Sequence, residues 1–260
     1  MRLLNLNICI KLDNNNEVID LVKELKPDIC TFQEAMNGTE QSCFEMYQSK
    51  NKLVEIQEYP FYEFAPLFIA KGVSKDGVIT RDFGGKAEQG SLILSKYDIC
   101  EHYNQFYYNE YRYEYDATNF REKDWCRSIQ NVIFNIKDKK VQIINIHGIW
   151  NRDKLGDERT VAQSEFILSQ MRGDIACIVL GDFNLLPNTQ SIQMINHKMK
   201  NLIDIYNIKS TRPNFNDGLD KGNVVCDYIF VNDKIKVNDF KVIQSNASDH
   251  LPLLLDFEIL

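Results

Sequence analysis

No run of lysine and arginine breaks this sequence, no apolar stretch approaches the length of a membrane span, and no two cysteines stand at metal-site spacing. Each absence excludes something. Tight, non-specific duplex binding draws on many basic contacts to phosphate, and a chain with no polybasic tail or stripe cannot supply them. With a formal net charge of −7, an anionic substrate must be met by a local site or by a metal ion. The longest apolar runs are strand length, so no helical membrane span is expected. The seven cysteines include Cys9, Cys30, Cys177 and Cys226, all in apolar runs. They read as reduced thiols packed as small hydrophobes, which points to a cytoplasmic compartment. The start, "MRLLNLNICIKLDNNN", lacks a small-residue cleavage site after its short apolar run and is not read as a signal peptide. Repeats, low-complexity tracts and linker-like stretches are also missing, so residues 1–260 read as a single domain, with no protein partner implied.

The patterning that is present alternates strands and helices. "RLLNLNICI" reads as a strand, and "NNNEVIDLVKELKPD" as a helix with Val18, Leu21, Val22 and Leu25 on one face and Pro27 as its stop. "DICTFQEA" is a second strand, and "EQSCFEMYQSKNKLVEIQ" is expected to be helical. From Tyr59 to Gly90 turn residues predict loop and hairpin, followed by a buried strand in "GSLILSKY". "YRYEYDATNF" alternates tyrosine with charge and predicts an edge strand. "CRSIQNVIFNIKDKKVQIINIHGIW" is the clearest hairpin. "DERTVAQSEFILSQMRGD" predicts a helix ending near Gly173, "IACIVLGDFN" a central strand, and "TQSIQMINHKM" a short helix. "NVVCDYIFVND" and "IKVNDFKVI" are expected to pair, and "LPLLLDFEIL" closes the chain. Many strand pairs and few helices predict an α/β protein with two packed sheets and helices outside.

The chemistry lies at strand ends. In "IVLGDFNLLP" three apolar residues run into Gly181, and Asp182 and Asn184 follow two apart, so strand alternation would face them the same way. A carboxylate there can take a metal ion or a water proton, although a simple turn explains the four letters about as well. Glu34 ends the second strand, Asn7 lies in the first, and His147 ends the hairpin's second strand. Asp227 sits inside an apolar strand, and Asp249 and His250 precede the last one. Each has a plainer explanation alone. Their shared address at the mouths of apolar strands does not, because burying such groups unpaired costs several kcal/mol each. They should meet one another or a cation.

Taken in order, "NLN", "QE", "NIHGIW", "GDFNLLP", "CDYIF" and "SDHLPL" resemble the endonuclease/exonuclease/phosphatase superfamily, over the chain from Asn7 to its end. The resemblance implies a four-layer α/β/β/α sandwich of two packed mixed sheets with helices outside, and divalent-metal-dependent phosphoester hydrolysis. It implies Glu34 as the main metal ligand with Asn7 and Asp249 at or near the ion, which hard oxygen donors make Mg²⁺ or Mn²⁺. It further implies that Asp182 orients and deprotonates the attacking water, and that Asn184 holds that water or a phosphate oxygen. By the same resemblance His250 contacts the scissile phosphate, Asp227 is its carboxylate partner, and His147 aims at the phosphate or leaving group.

Substrate is the open point. Inositol phosphatases of this superfamily usually follow the "GDFN" equivalent with arginine, whereas Leu185 follows here, and "VVCDYIF" lacks their Trp-Cys-Asp-Arg segment; "DWCRS" at 124–128 is a look-alike elsewhere. "DYIFVN" is closer to the nuclease-type members, so a nucleic-acid phosphodiester is expected. A small phosphorylated metabolite or lipid head group is the alternative, and a catalytically silent binding module a third. The aromatic block from Tyr103 to Trp125 could stack bases but more simply covers an apolar flank. Arg127, Lys154 and Arg159 are candidate phosphate contacts, with Arg159 better read as a helix-face charge. Lys86 and Gln89 lie on a segment expected to border the cleft.

Overall fold

The computed structural model describes residues 1–9, 15–75, 78–112, 126–213 and 224–260. The framework is two six-stranded sheets. The first takes β1 (Arg2–Asn7), β2 (Ile29–Gly38), β3 (Phe61–Lys75), β4 (Val78–Ser95), β11 (Ile235–Val242) and β12 (Leu253–Ile259), in the order β11-β12-β1-β2-β4-β3. The second takes β5 (Ile99–Tyr108), β6 (Arg127–Ile136), β7 (Lys139–His147), β8 (Ala176–Asp182), β9 (Lys200–Asn201) and β10 (Asp227–Val231), in the order β5-β6-β7-β8-β10-β9. Each sheet holds one parallel pair, β1 with β2 and β7 with β8. A parallel pair needs a crossover. Helix α1 (Asn15–Leu25) supplies the first and α3 (Glu158–Gln170) the second. The short helices α2 (Ser49–Leu53), α4 (Gln190–Asn196) and α5 (Leu202–Ile205) complete the set.

Side-chain parity builds the layers. Along β1 and β2, Leu4, Leu6, Cys30 and Phe32 face outward and pack with Val18, Leu21 and Val22 of α1. Leu3 and Ile29 face the other way, into the cluster shared with Ile129, Ile143 and Ile146 of the second sheet. That cluster runs on to Ile167 of α3 and Ile192 and Ile195 of α4. Two sheets thus meet face to face with helices outside, the four-layer sandwich. The remaining inward positions are polar: Asn5, Asn7, Thr31 and Gln33 on the first sheet and Asn145 on the second are buried. Gln33 Nε2 donates to Asn5 Oδ1 at 2.9 Å and to Asn145 Oδ1 at 2.6 Å, so an amide seam ties the sheets just below their C-terminal strand ends.

Several local expectations change. "NVVCDYIFVND" and "IKVNDFKVI" do not pair: β10 is flanked by β8 and β9, while β11 pairs with β12 in the other sheet. Both edges of β10 are taken, so the short connection crosses between sheets. The turn-rich segment after Tyr59 is an extended hairpin of β3 and β4, with register shifts that absorb its irregular residues. "EQSCFEMYQSKNKLVEIQ" forms only a 3₁₀ turn at Glu45–Tyr47 and α2. Helix α3 ends at Gln170, with Met171 rather than Gly173 as its cap. The hairpin of β6 and β7 forms, its turn residues Lys137 and Asp138 taking positive φ of 51° and 66°, as a primed two-residue turn requires. The tyrosine-rich edge strand falls largely on residues 113–125, outside the described residues, as do Asp124 and Trp125 of "DWCRS", whose Arg127 and Ser128 begin β6.

Gly181 is fixed by space as well as conformation. Its φ is +132°, and a Cβ there would lie 2.0 Å from the carbonyl oxygen of Ile146 in the paired strand β7. Gly181→Ala must push the two central parallel strands apart, at a cost of about 3–5 kcal/mol, read as a lowered urea midpoint. A melt within experimental error of the parent would show that β7 and β8 are not held this closely.

Helix α3 carries a sequence-encoded cap. The Asp157 carboxylate accepts from the backbone N–H of Arg159 and Thr160, and Thr160 answers in a capping box. Burial opposes the charge, yet the Arg159 guanidinium and these N–H groups hold the carboxyl below its ordinary value. A depressed folded pKa gives stability that is present above the unfolded value and lost as pH falls through the folded one. Asp157→Ala should therefore cost about 1 kcal/mol at neutral pH. In urea melts the difference between the two chains should shrink below about pH 4, where the unfolded carboxyl is protonated.

Candidate active site

The two parallel pairs bring the C-terminal ends of three strands and a bulge inside the fourth to one place, so Glu34, expected at the end of its strand, lies within it. Asn7 ends β1, the bulge of β2 carries Glu34, and His147 and Asp182 end β7 and β8 as register partners. Asp227 begins β10 directly opposite Asp182. The loop before β12 brings His250. Local backbone does the aiming at two positions. The ladder of β2 on β4 shifts register between Phe32 and Ala35, and Glu34 takes a φ of 60°, a conformation uncommon for residues other than glycine. Asn184 takes a φ of 56° beyond the end of β8, so the two-residue strand period does not carry it to the face of Asp182. A turn holds the two together instead: the Asn184 N–H donates to Asp182 Oδ1 at 2.8 Å, and its side-chain amide reaches Gly148 O at 3.4 Å.

A single amide nitrogen joins the carboxylates of the two sheets. Asn7 Nδ2 donates to Asp182 Oδ2 at 3.0 Å and to Glu34 Oε1 at 3.2 Å. Its oxygen is taken by the Cys9 N–H at 3.0 Å. His147 Nε2 lies 3.5 Å from Glu34 Oε1 and 3.9 Å from Asp182 Oδ2. His250 Nε2 lies 3.7 Å from Asp182 Oδ2, and its Nδ1 is bonded to Asp227 at 2.9 Å. Asp227 is held in turn by the Thr211 hydroxyl at 2.7 Å and the Cys226 thiol at 3.3 Å. Seven of the eight residues singled out above are buried or nearly so; Asp249 stands at the rim with 44% of its side chain exposed. Its Oδ2 pairs with Arg212 Nη2 at 3.0 Å, and its Oδ1 lies 3.3 Å from Ser248 Oγ.

The two imidazoles are driven apart electrostatically. Burial lowers the proton affinity of both. At His250 the carboxylates of Asp227 and Asp182 outweigh burial and hold the ring well above the ordinary histidine value, so it is an imidazolium at neutral pH. At His147 burial dominates, Arg127 and His250 add to it, and the ring is neutral. Burial and the Asp227 charge raise Asp182, against the pull of His250, so this carboxylate has a heightened appetite for a proton. Asp249 is held below the usual range because His250 and Arg212 outweigh its burial. Burial pushes the Cys226 thiol up to about 12, so the sulfur keeps its proton.

Two sets of ligand-type atoms result. Asp182, Cys226, Asp227 and His250 offer one atom each within 4.8 Å of one another, a cluster that could hold a metal. Two of these four donors already bear protons. The Glu34 and Asp182 carboxylates instead share one neutral N–H donor, the Asn7 amide, and hard oxygens brought this near suit a hard divalent cation.

Thr211 and Arg212 are absent from the sequence reading and reach the site from a segment with no period or motif of its own, while Cys226 was read there only as a packed thiol. The candidate phosphate contacts resolve differently. Arg127 is buried, donating to the carbonyls of Gly148 at 2.8 Å and Cys126 at 3.0 Å. Arg159 answers Asp157, as its sequence neighbours suggested. Gln89 is buried in β4 opposite Met36. Tyr107 packs on Phe166 and Tyr111 bonds Glu88, which fits covering an apolar flank; Tyr113, Tyr115 and Trp125 lie outside the described residues.

Comparison with known proteins follows the same lines. Among solved structures the fold is similar to an endonuclease/exonuclease/phosphatase from Beutenbergia cavernae DSM 12333, with a TM-score of 0.73 and 14% identity over 100% of this chain and 71% of that one. It is similar to a mannosyl-6-phosphatase from Bacteroides thetaiotaomicron VPI-5482, at 0.67 and 19% over 100% of both chains. It is also similar to a truncated Caenorhabditis elegans TDP2, at 0.64 and 17% over 98% of this chain and 96% of that one. At these identities the likeness is one of fold. No curated protein matches the sequence significantly. The Endonuclease/Exonuclease/phosphatase family matches residues 4–250, nearly the whole chain, and the protein belongs to that family.

Proposed function

We propose that this protein is a Mg²⁺- or Mn²⁺-dependent phosphoesterase that hydrolyses a phosphodiester of nucleic acid by attack of an activated water. Enzymes of its family are hydrolases of phosphoester bonds and generally use a divalent metal. The observation that carries the reading is the convergence of Glu34, Asn7, His147, Asp182, Asp227 and His250, drawn from both sheets, at one end of the sandwich. Residues 1–260 then form one catalytic domain. A reducing, cytoplasmic location accords with Cys30, Cys177 and Cys226 packed as buried thiols.

In this mechanism Glu34 would hold the ion, with Asn7 and Asp249 beside it. The bound ion would supply Lewis-acid charge to the phosphate oxygens. Asp182 accepts a proton from the attacking water, a task suited to a carboxylate whose proton affinity is raised. Asn184 orients that water or a non-bridging oxygen. The His250 imidazolium donates to the phosphate, where negative charge grows as the new P–O bond forms and the old one breaks. Asp227 fixes the ring by its Nδ1 and keeps it charged. Neutral His147 faces the phosphate or leaving group.

A second reading rests on charge. At net −7 and with no basic stripe, the chain suits a small phosphorylated metabolite or lipid head group better than a long polyanion. Single-stranded, nicked and abasic DNA, RNA, sugar phosphates and a bis-aryl phosphodiester, each with and without Mg²⁺, separate the readings. Nucleic-acid cleavage that needs the ion is the expected result. Turnover of the small esters alone would transfer the assignment to the second reading, and no turnover with any metal would leave a silent binding module. On whichever substrate is cleaved, Asp182→Asn should lower kcat by about 10²–10⁴-fold. His250→Ala should lower it by about 10²–10³-fold. Wild-type rates in both variants would remove these residues from the chemistry.

A further inference from the structure

Asp249 was expected beside the ion, yet its carboxylate is engaged elsewhere. Oδ2 faces the Arg212 guanidinium at 3.0 Å, and Oδ1 lies 3.3 Å from Ser248 Oγ. The anchor of this loop is the ion site itself, because Ser248 Oγ donates to the backbone oxygen of Asn7 at 2.7 Å. Asp249 therefore stands within one residue of a contact to Asn7. Its side chain is 44% exposed, whereas that of Arg212 is only 17% exposed. The carboxylate is the partner with room to turn, and the guanidinium is the packed one. An oxygen lone pair that faces a guanidinium cannot face a cation in another direction. The positive charge of Arg212 also repels a divalent ion directly.

We propose that Arg212 competes with the divalent cation for the Asp249 carboxylate and so weakens ion binding in the resting site. This rests on the reading of Glu34 and its neighbours as a divalent-cation site. Arg212 acts through Asp249 and is a positioning residue. With the pair closed, Glu34 and Asn7 would hold the ion without Asp249. With the pair opened, Asp249 joins them and the ion is held more tightly. The pair thus sets how readily the ion is lost, a property the strand-end motifs do not encode.

The test is direct binding of Mn²⁺ to the full chain without substrate, by electron paramagnetic resonance of the free ion and by calorimetry. Arg212→Gln should bind Mn²⁺ about three- to tenfold more tightly than the parent, the scale of one partly exposed ion pair plus a nearby repulsive charge. Arg212→Lys, which keeps the charge, should stay within about twofold of the parent, and its thermal melt reports whether this loop tolerates substitution. In an Asp249→Asn background the effect of Arg212→Gln should shrink, because the contested group is gone and only the direct repulsion remains. Unchanged or weaker binding in Arg212→Gln overturns the competition, as does an effect undiminished by Asp249→Asn. If Glu34→Gln leaves Mn²⁺ binding intact, or the parent binds none, the cation-site reading fails and the competition with it.

Discussion

The Asn7 side-chain amide is the constraint on which the site depends. Its nitrogen donates to Glu34 on its own sheet and to Asp182 on the facing one, so one group sets the spacing of the two carboxylates. Two buried acids left to themselves repel, and burial penalises each charge further. A donor shared between them offsets part of that cost and fixes where they point. The amide seam one layer below, through Asn5, Gln33 and Asn145, does the same for the strands that carry Asn7, Glu34 and His147. Polar side chains therefore bring the two sheets together at this end, and aliphatic ones hold the rest of the interface.

From this spacing follows a division of charge. Two imidazoles lie within reach of the same carboxylate, yet one is charged and the other neutral. The difference lies in their neighbours, since both are buried. His250 has Asp227 at bonding distance behind it, whereas His147 has Arg127 nearby. Environments that push like groups apart are how a single cleft offers both a proton donor and a neutral ring at one pH.

Strand-end polarity made most of this legible. A glutamate, an amide, a histidine and an aspartate along apolar strands are costly unless they meet, and the C-terminal ends of β1, β7 and β8 with the bulge inside β2 bring them together. Partner choice was not legible. A period-two run specifies a strand and its buried face but not its neighbour, so β10 and β11 read as a hairpin although they lie in different sheets. The positive φ at Asn184 broke the alternation that would have pointed it beside Asp182. Thr211 and Arg212 were invisible because their place is set by tertiary closure of a loop with no period of its own. The polar, glycine-rich hairpin of β3 and β4 read partly as loop because its turn-type residues lie inside strands whose register shifts accommodate them.

The position of β12 has a consequence for synthesis. This strand pairs with β1 on one side and β11 on the other, and His250 lies in the loop just before it. Until residues 253–259 have left the ribosome, β1 has an open edge along Arg2, Leu3, Leu4 and Asn5, the positions β12 later covers. The nascent chain thus holds an unpaired apolar strand and an unfinished catalytic cleft together. Both are completed by the same event, so the candidate site cannot assemble before the sheet is sealed.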